Sequence, residues 1–238
     1  MSNPYFQFKQ FRIDQGDCAM KVTTEGCLLG ALINKSNPVR ILDIGAGTGL
    51  LSLMLAQRYD CPIDAVEIDE LAASQAKHNF EKSNWHKRFI LYHQDIEAFA
   101  NNNSDKYDFI ISNPPFFKNN LEAQSASKNL AIHNTSLSQE LFLSCVEKLL
   151  IEQGSAFIMY PEYEAKLLVE ASSEYDLNAH EKVIIRNIEG GKVLRKIVEL
   201  SRSRKGIQHG PDEFIIRKNS KEFTKQYTDL LRPYYLHL

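Results

Sequence analysis

Few features of this chain of 238 residues suggest a metal centre, a membrane segment or an export signal. It has four cysteines and one tryptophan, and the cysteines Cys18, Cys27, Cys61 and Cys145 form no CxxC pair. No apolar run is long enough to span a bilayer, and no secretory signal opens the chain. A net charge of -2 gives no whole-chain signal for nucleic acid. We therefore expect a cytoplasmic globular protein with reduced thiols, without a metal ion and without a membrane partner.

Strands and helices alternate along most of the chain. Apolar runs predict strands at 40–44, 63–68, 89–93, 108–112 and 156–160, and helical periodicity predicts helices at 24–33, 48–58, 70–82, 137–151 and 162–174. Residues 182–188 and 193–200 form a closing strand pair, and Phe6, Phe8, Phe11 and Ile13 predict strands before the first helix. This order predicts an α/β fold with a mostly parallel sheet, one antiparallel insertion and helices on both faces.

The loops and chain ends complete the predicted organisation. Residues 101–105 read as a surface loop, and residues 117–136 are long and polar enough to be a lid or substrate segment. We expect a single domain, with an N-terminal β extension over 1–23, a core over 24–200 and a basic C-terminal extension over 201–238. Oligomerisation leaves no signal in the sequence, and a monomer is expected.

A glycine-rich turn joins the first sheet strand to the next helix. Asp43 precedes Gly45, Gly47 and Gly49, which allow a tight turn and the close approach of a ligand to the backbone. The dinucleotide fingerprint needs glycine at the position of Leu50, so the spacing weighs against NAD. An acid before the turn would repel a pyrophosphate and favour a ligand with a cationic end, such as S-adenosylmethionine.

Acidic residues follow the next two strands. Glu67 ends its strand about 20 residues after the turn, where an acid can grip ribose hydroxyls, and Asp69 is a second candidate. Asp95 follows the third strand and can accept a hydrogen bond from an adenine amino group. Taken singly, Glu67 could be a solvated strand end and Asp95 a helix N-cap.

The stretch Asn113-Pro114-Pro115-Phe116 follows the fourth strand, at the sheet edge where α/β proteins bind ligands. Two prolines fix the turn and remove two donors, which leaves the Asn113 side-chain oxygen and the Pro114 carbonyl as acceptors. An amino group on a flat base can donate both hydrogens to these acceptors while Phe116 stacks on its plane. This arrangement predicts a nucleophilic amine readied to attack an electrophilic carbon.

In this order the motifs resemble class I S-adenosylmethionine-dependent methyltransferases over residues 24–200, and the resemblance implies their Rossmann-like fold with a seven-stranded sheet. It implies cofactor contacts from Asp43, the three glycines, Glu67, Asp95 and Asn113, and also from Thr24, Ile68 and Ile96. The asparagine-first tetrapeptide occurs in methyltransferases acting on adenine, on guanine N2 and on protein glutamine.

A closer resemblance, to the bacterial valine-tRNA adenine-37 N6-methyltransferase family, extends over nearly the whole chain. It rests on segments 8–11, 18–22, 28–31, 43–47 and 110–115. The resemblance implies methylation of the adenine beside the anticodon of a valine tRNA. Thr23-Thr24-Glu25-Gly26 departs from the usual Gly-Thr-Asp-Gly, and Phe116 stands where Tyr is frequent.

RNA binding must then come from local charge. Residues 182–218 hold ten Lys/Arg and four Asp/Glu, a balance of +6, so the rest of the chain sums to -8. We predict RNA contacts from the densest part, Arg202, Arg204 and Lys205, and from His133 in the lid. A solvated face is the alternative for the basic cluster.

Other assignments remain open to the same motifs. A release-factor glutamine methyltransferase would carry an extra helical N-terminal domain, an rRNA guanine-N2 methyltransferase a duplicated half, and a DNA adenine methyltransferase a recognition domain. None of these is evident in the sequence. A non-catalytic RNA-binding module would not need Asp43, Glu67, Asp95 and Asn113 together.

Overall fold

The computed structural model describes residues 3–16, 21–114, 138–203 and 210–238. Within these ranges the strands are β1 (Tyr5–Gln7), β2 (Arg12–Asp14), β3 (Ile41–Ile44), β4 (Ile63–Glu67), β5 (Phe89–His93), β6 (Tyr107–Ser112), β7 (Leu150–Tyr160), β8 (Asn178–Arg186), β9 (Val193–Ser201) and β10 (Asp212–Ile215). The α-helices are α1 (Thr24–Leu32), α2 (Leu50–Ala56), α3 (Glu70–Glu81), α4 (Ile96–Asn102), α5 (Gln139–Leu149), α6 (Glu162–Ala171) and α7 (Lys225–Leu231).

The central sheet has eight strands in the order β10-β8-β9-β7-β6-β3-β4-β5. Only β9 runs against its neighbours in this sheet, since β7 and β8 both pair with it antiparallel while the other pairs are parallel. The predicted α/β class is therefore confirmed. The sheet exceeds the expected seven strands because β10 adds an edge strand beside β8.

Two apolar layers cover the sheet. Helices α1, α2, α3 and α7 pack with the β1–β2 hairpin on one face, and α4, α5 and α6 pack on the other. Neighbouring strand residues alternate between these layers, as Ile110 and Ile111 of β6 do, because successive side chains of a strand point to opposite faces. Phe8 and Phe11 are buried in the first layer, so they are core residues.

Some local predictions needed correction. Residues Asn101 and Asn102 belong to α4 and not to a loop, and Gly49 caps α2, so this helix begins two residues later than expected. Cys27, Cys61 and Cys145 are free and buried, as expected, whereas Cys18 and the lid segment lie outside the described residues. None of the helices within the described ranges is long and apolar enough to cross a membrane.

Candidate active site

The strand register brings the predicted site residues to one edge of the sheet. Ile44 at the end of β3 pairs with Val66 on one side and with Ser112 on the other. The Ser112 hydroxyl donates to the Ile44 carbonyl at 2.8 Å, which ties the ends of β3 and β6 together. The glycine-rich turn after Ile44 and the tetrapeptide after Ser112 therefore begin side by side.

Glu67 holds the glycine-rich turn in place. Its Oε2 accepts from the Gly47 N–H at 2.7 Å and its Oε1 from the Asp69 N–H at 2.9 Å. The Gly45 N–H donates to the Val66 carbonyl at 2.9 Å. A carboxylate offers about four acceptor positions, so the contacts to Gly47 and Asp69 still leave Glu67 acceptor capacity for the hydroxyls of a ligand.

Asp43 is a fully buried carboxylate below this turn. Its Oδ2 accepts from the Ser52 hydroxyl at 2.7 Å and from the Ser52 N–H at 3.1 Å, while Oδ1 has no hydrogen-bond partner among the described residues. Burial raises the pKa of Asp43 to about 7; the two Ser52 hydrogen bonds oppose this shift and the nearby charge of Glu67 adds to it. A cationic group of a ligand would stabilise this carboxylate.

The turn leaves open space where a ligand would approach. Gly45, Gly47 and Gly49 all have positive φ. A methyl group added at Gly45 or at Gly47 would meet nothing within 4 Å, whereas one at Gly49 would lie 2.5 Å from the Phe80 ring. The first two glycines therefore border a free volume, and the third packs against the core.

The residues that follow β4 and β5 contribute an apolar side chain, Ile68, and a carboxylate, Asp95. Ile68, which follows Glu67, is 61% exposed although it is a large apolar residue. Asp95 caps α4 by accepting from the Ala98 N–H at 2.8 Å, and Ile96 beside it is buried. The N-cap role that the sequence left open for Asp95 is therefore present, and a contact to adenine remains a prediction.

Asn113 lies on the other side of the turn, close to the start of α1. Its Oδ1 is buried and has no hydrogen-bond partner among the described residues, and Pro114 is also buried. A methyl group added at Gly26 would come within 3.9 Å of the Asn113 Nδ2 and 3.3 Å of the Thr23 Oγ1. Thr23 caps α1, so Thr24 begins this helix beside Asn113.

The described residues cover only part of the predicted site. Pro115, Phe116, His133, Arg204 and Lys205 lie outside the described residues. Arg202 follows the end of β9, and because β9 is antiparallel this is the edge of the sheet opposite to Asn113. Its guanidinium lies 3.9 Å from Asp176.

Sequence reasoning missed one contributor to the site, Ser52, and the position of one neighbouring residue, Arg195. Ser52 fixes Asp43, and its signal was a polar residue within an otherwise apolar helix. Arg195, whose guanidinium lies 3.8 Å from Glu25 beside Gly26, was counted only as part of a basic segment. Within the described ranges, no three His, Cys, Asp or Glu side chains come together as a set of metal ligands.

The chain resembles known methyltransferases in structure. It superposes on a predicted O-methyltransferase from Agrobacterium tumefaciens with a TM-score of 0.64 at 17% identity, covering 87% of this chain and 95% of that one. It also superposes on a ribosomal protein L11 methylase from Lactobacillus delbrueckii with a TM-score of 0.57 at 16% identity, covering 81% and 84%. At these identities the likeness establishes the class I methyltransferase fold alone.

Sequence comparison defines the family. Residues 19–146 match the methyltransferase small domain. The tRNA1(Val) (adenine(37)-N6)-methyltransferase of Bacteroides thetaiotaomicron is 40% identical over 240 residues, covering all of both chains. The protein of the same name from Cytophaga hutchinsonii is 37% identical over 239 residues, again covering all of both chains. With its fold, its motifs and its full length matched in this way, the chain belongs to the tRNA1(Val) (adenine(37)-N6)-methyltransferase family.

Proposed function

We propose that this enzyme transfers a methyl group from S-adenosylmethionine to N6 of adenine 37 in a valine tRNA. The observation that carries the proposal is the buried Asn113 Oδ1, which has no partner among the described residues although it lies at the ligand edge of the sheet. A buried acceptor without a donor costs free energy, so its retention is explained if a substrate supplies the donor. The N6 amino group of adenine is such a donor.

The residues around the glycine-rich turn fit the cofactor. The buried Asp43 Oδ1 has no partner among the described residues and suits the cationic methionine end. Gly45 and Gly47 border open space in which backbone and ligand can approach closely. Glu67 has acceptor capacity for ribose hydroxyls, and the exposed Ile68 offers an apolar face to adenine. When bound, S-adenosylmethionine supplies an electrophilic methyl group on a sulfonium.

The tetrapeptide supplies the chemistry on the substrate side. Asn113 Oδ1 and the Pro114 carbonyl accept the two N6 hydrogens, which withdraws the nitrogen lone pair from conjugation with the ring and directs it towards the methyl group. S-adenosylmethionine, held by the glycine-rich turn, Asp43 and Glu67, would supply the methyl group to N6 and leave as the neutral thioether, and N6 would then release its proton to solvent. The amine becomes acidic once the methyl group is transferred, so no strong general base is needed.

The target adenine has to leave its stack to reach these acceptors. In this proposal Phe116 stacks on the extruded base, and the pair of prolines keeps the acceptors rigid. Because the reaction needs no strong general base, positioning of the amino group beside the methyl donor supplies much of the rate enhancement.

Methyl transfer to a valine tRNA transcript, followed by nucleoside mass spectrometry, tests the proposal. We expect N6-methyladenosine at position 37 with the wild-type protein. Asn113→Ala should lower kcat about 10²- to 10³-fold, since it removes one preorganised polar contact to the reacting group. Cofactor binding measured by calorimetry should persist.

Asn84→Ala is the matched control, because Asn84 is exposed in the turn after α3, near the opposite edge of the sheet. It should leave kcat unchanged. Full turnover by Asn113→Ala would refute the assigned role of the tetrapeptide. Methylated guanosine in place of N6-methyladenosine would retain the mechanism and replace the substrate.

A further inference from the structure

The hairpin formed by β8 and β9 extends past the sheet at the edge that carries Asn113. Ser112 pairs with Ile158, so Asn113 lies level with Met159 of β7. Met159 in turn pairs with Ile197 of β9. Since β6 and β9 are separated by two interstrand spacings of about 4.8 Å, Ile197 lies roughly 10 Å to the side of Asn113.

The hairpin continues beyond this level. Pairing between β7 and β9 ends at Tyr160 and Lys196, whereas β8 and β9 remain paired as far as Arg186 and Val193. Residues 186–195, which we call the overhang, therefore stand beside the candidate active site, past the last residue of β7. The overhang borders the half of the site occupied by Asn113 and lies away from β4 and β5.

Hydrogen bonds and ion pairs connect the overhang and the residues below it to neighbouring elements. Arg186 donates to the Gly191 carbonyl at 2.5 Å and contacts Glu213 at 3.0 Å, so its charge is used to close the hairpin loop. Directly below the overhang, Lys196 contacts Glu181 at 2.8 Å and Glu162 at 3.4 Å. Lys192 and Arg195 are the other two cations of the overhang, and Arg195 itself contacts Glu25.

Arg195 and Lys192 are placed differently. The Arg195 guanidinium lies 3.8 Å from Glu25, at the start of α1 and next to Gly26, which borders Asn113. Lys192 is exposed in the hairpin loop. Two large apolar side chains are exposed at the same edge, namely Ile188 in the loop at 44% and Tyr163 in the first turn of α6 at 58%.

Resting on the proposed function, we propose that the overhang and Tyr163 together hold the tRNA strand beside the target adenine. Lys192 and Arg195 contact phosphates that flank this nucleotide, and Tyr163 stacks on a neighbouring unpaired base. Arginine and lysine are the side chains that bind phosphate, and exposed aromatic rings stack on bases of single-stranded loops. The combination of two cations with an exposed ring therefore fits an RNA loop.

The position of Arg202 argues against the alternative that this arginine makes these contacts. Arg202 is five residues from Ile197, in the direction away from the overhang, which is roughly 16 Å along an extended strand. A strand of RNA at Asn113 would have to cross the body of the sheet to reach it.

Arg195→Gln and Arg202→Gln form a matched pair for the test. Both arginines belong to or adjoin β9, each has an acid within 4 Å (Glu25 at 3.8 Å from Arg195 and Asp176 at 3.9 Å from Arg202), and their side chains are 24% and 28% exposed. The two substitutions remove the same charge from opposite ends of one strand. Lys192→Glu and Tyr163→Ala extend the test, and Lys166→Gln on the exposed side of α6 serves as a control.

The measurements are tRNA affinity by fluorescence anisotropy at several salt concentrations, and steady-state kinetics with a valine tRNA transcript. We expect Arg195→Gln and Lys192→Glu each to raise KM for tRNA about tenfold, and to reduce the salt slope of binding by about one. Tyr163→Ala should raise KM about tenfold without changing the salt slope. KM for the cofactor and kcat should stay at wild-type values.

Wild-type tRNA affinity in Arg195→Gln and Lys192→Glu, with weakened affinity in Arg202→Gln, would overturn the proposal. So would a loss of cofactor binding in the overhang variants, because the overhang would then act through Glu25 on the site itself. Anisotropy reports on RNA binding without turnover, so a wild-type protein that methylated no valine tRNA would defeat the proposed function while the overhang could still be tested.

Discussion

Asp43 is unfavourable for folding in the ligand-free protein, and under the proposed function it is favourable for cofactor binding. Its carboxylate is fully buried, and the Ser52 hydrogen bonds satisfy only Oδ2. Burial raises its pKa to about 7 from an ordinary value of 3.8, with the Ser52 hydrogen bonds opposing the shift and the charge of Glu67 adding to it. Between these two values the folded protein holds a proton that the unfolded chain has released. Stability contributed by this group therefore falls as pH rises through that window.

Asp43→Asn removes the buried charge and keeps an oxygen that can accept from Ser52. Relative to the wild type, we expect the ligand-free variant to gain about 4 kcal/mol in unfolding free energy at pH 8 and little at pH 4, because the pKa shift from 3.8 to about 7 costs the ionised carboxylate about 1.4 kcal/mol per pKa unit. Its affinity for S-adenosylmethionine should fall at least tenfold. Urea denaturation at both pH values and calorimetry provide the measurements. Equal stability differences at pH 4 and pH 8 would contradict the titration of Asp43.

At the scale of the element, the glycines of the turn have different surroundings: one borders open space and another packs against the core. Gly47 has a φ of 57° and open space beside it, whereas Gly49 has a φ of 80° and faces the Phe80 ring. We expect Gly47→Ala to cost about 1 kcal/mol of stability from backbone strain and to weaken cofactor binding more than tenfold. Gly49→Ala should cost about 3 kcal/mol, because the strain is joined by a clash with the ring.

Chemical denaturation and cofactor titration of the two variants separate these roles. If Gly47→Ala bound the cofactor as the wild type does, the space beside this residue would not be part of the ligand site. If Gly49→Ala were the more stable of the two, the close contact with Phe80 would not be a constraint on the native core.

The elements that the sequence predicted are those with strong local patterns. Apolar runs bounded by turn residues located β3 to β6, and the turn glycines located the start of the site. By contrast, β10 has only one buried residue in four, and its pairing with β8 joins residues about 30 positions apart, so its own sequence carries little signal. Helix α4 is seven residues long and ends in asparagines, which favour loops.

The basic segment illustrates the same limit. In sequence, Arg195 and Arg202 belong to one positively charged stretch, and density alone favours the second. In the structure the length of β9 separates them. Arg195 lies at the edge of the sheet with Asn113, and Arg202 lies beyond the opposite end of the strand. Local charge predicts phosphate contacts, and strand direction decides which side chains could make them.

At the scale of the whole molecule, the two edges of the sheet hold different sets of residues. The edge at the ends of β3, β4, β5 and β6 collects the turn, the acids and Asn113, and the β8–β9 overhang flanks it. The opposite edge holds polar contacts between elements, such as the Asp108 carboxylate, which accepts from the Val39 and Arg40 N–H groups at 2.9 to 3.1 Å. Ligands should therefore order one edge and leave the other unchanged.

Hydrogen–deuterium exchange measured by mass spectrometry tests this division. We expect S-adenosylmethionine alone to protect the backbone at 45–49 and 67–69, because these segments border the proposed cofactor space. Adding valine tRNA should protect the overhang at 186–195, while peptides covering 37–40 and 176–178 at the opposite edge should exchange as before. At 100 times its Kd the cofactor adds about 2.7 kcal/mol to the unfolding free energy, which for a chain of this size raises Tm by roughly 5 to 10 °C. Uniform protection over both edges would show that the ligands tighten the whole molecule, and the division into a working edge and a structural edge would be wrong.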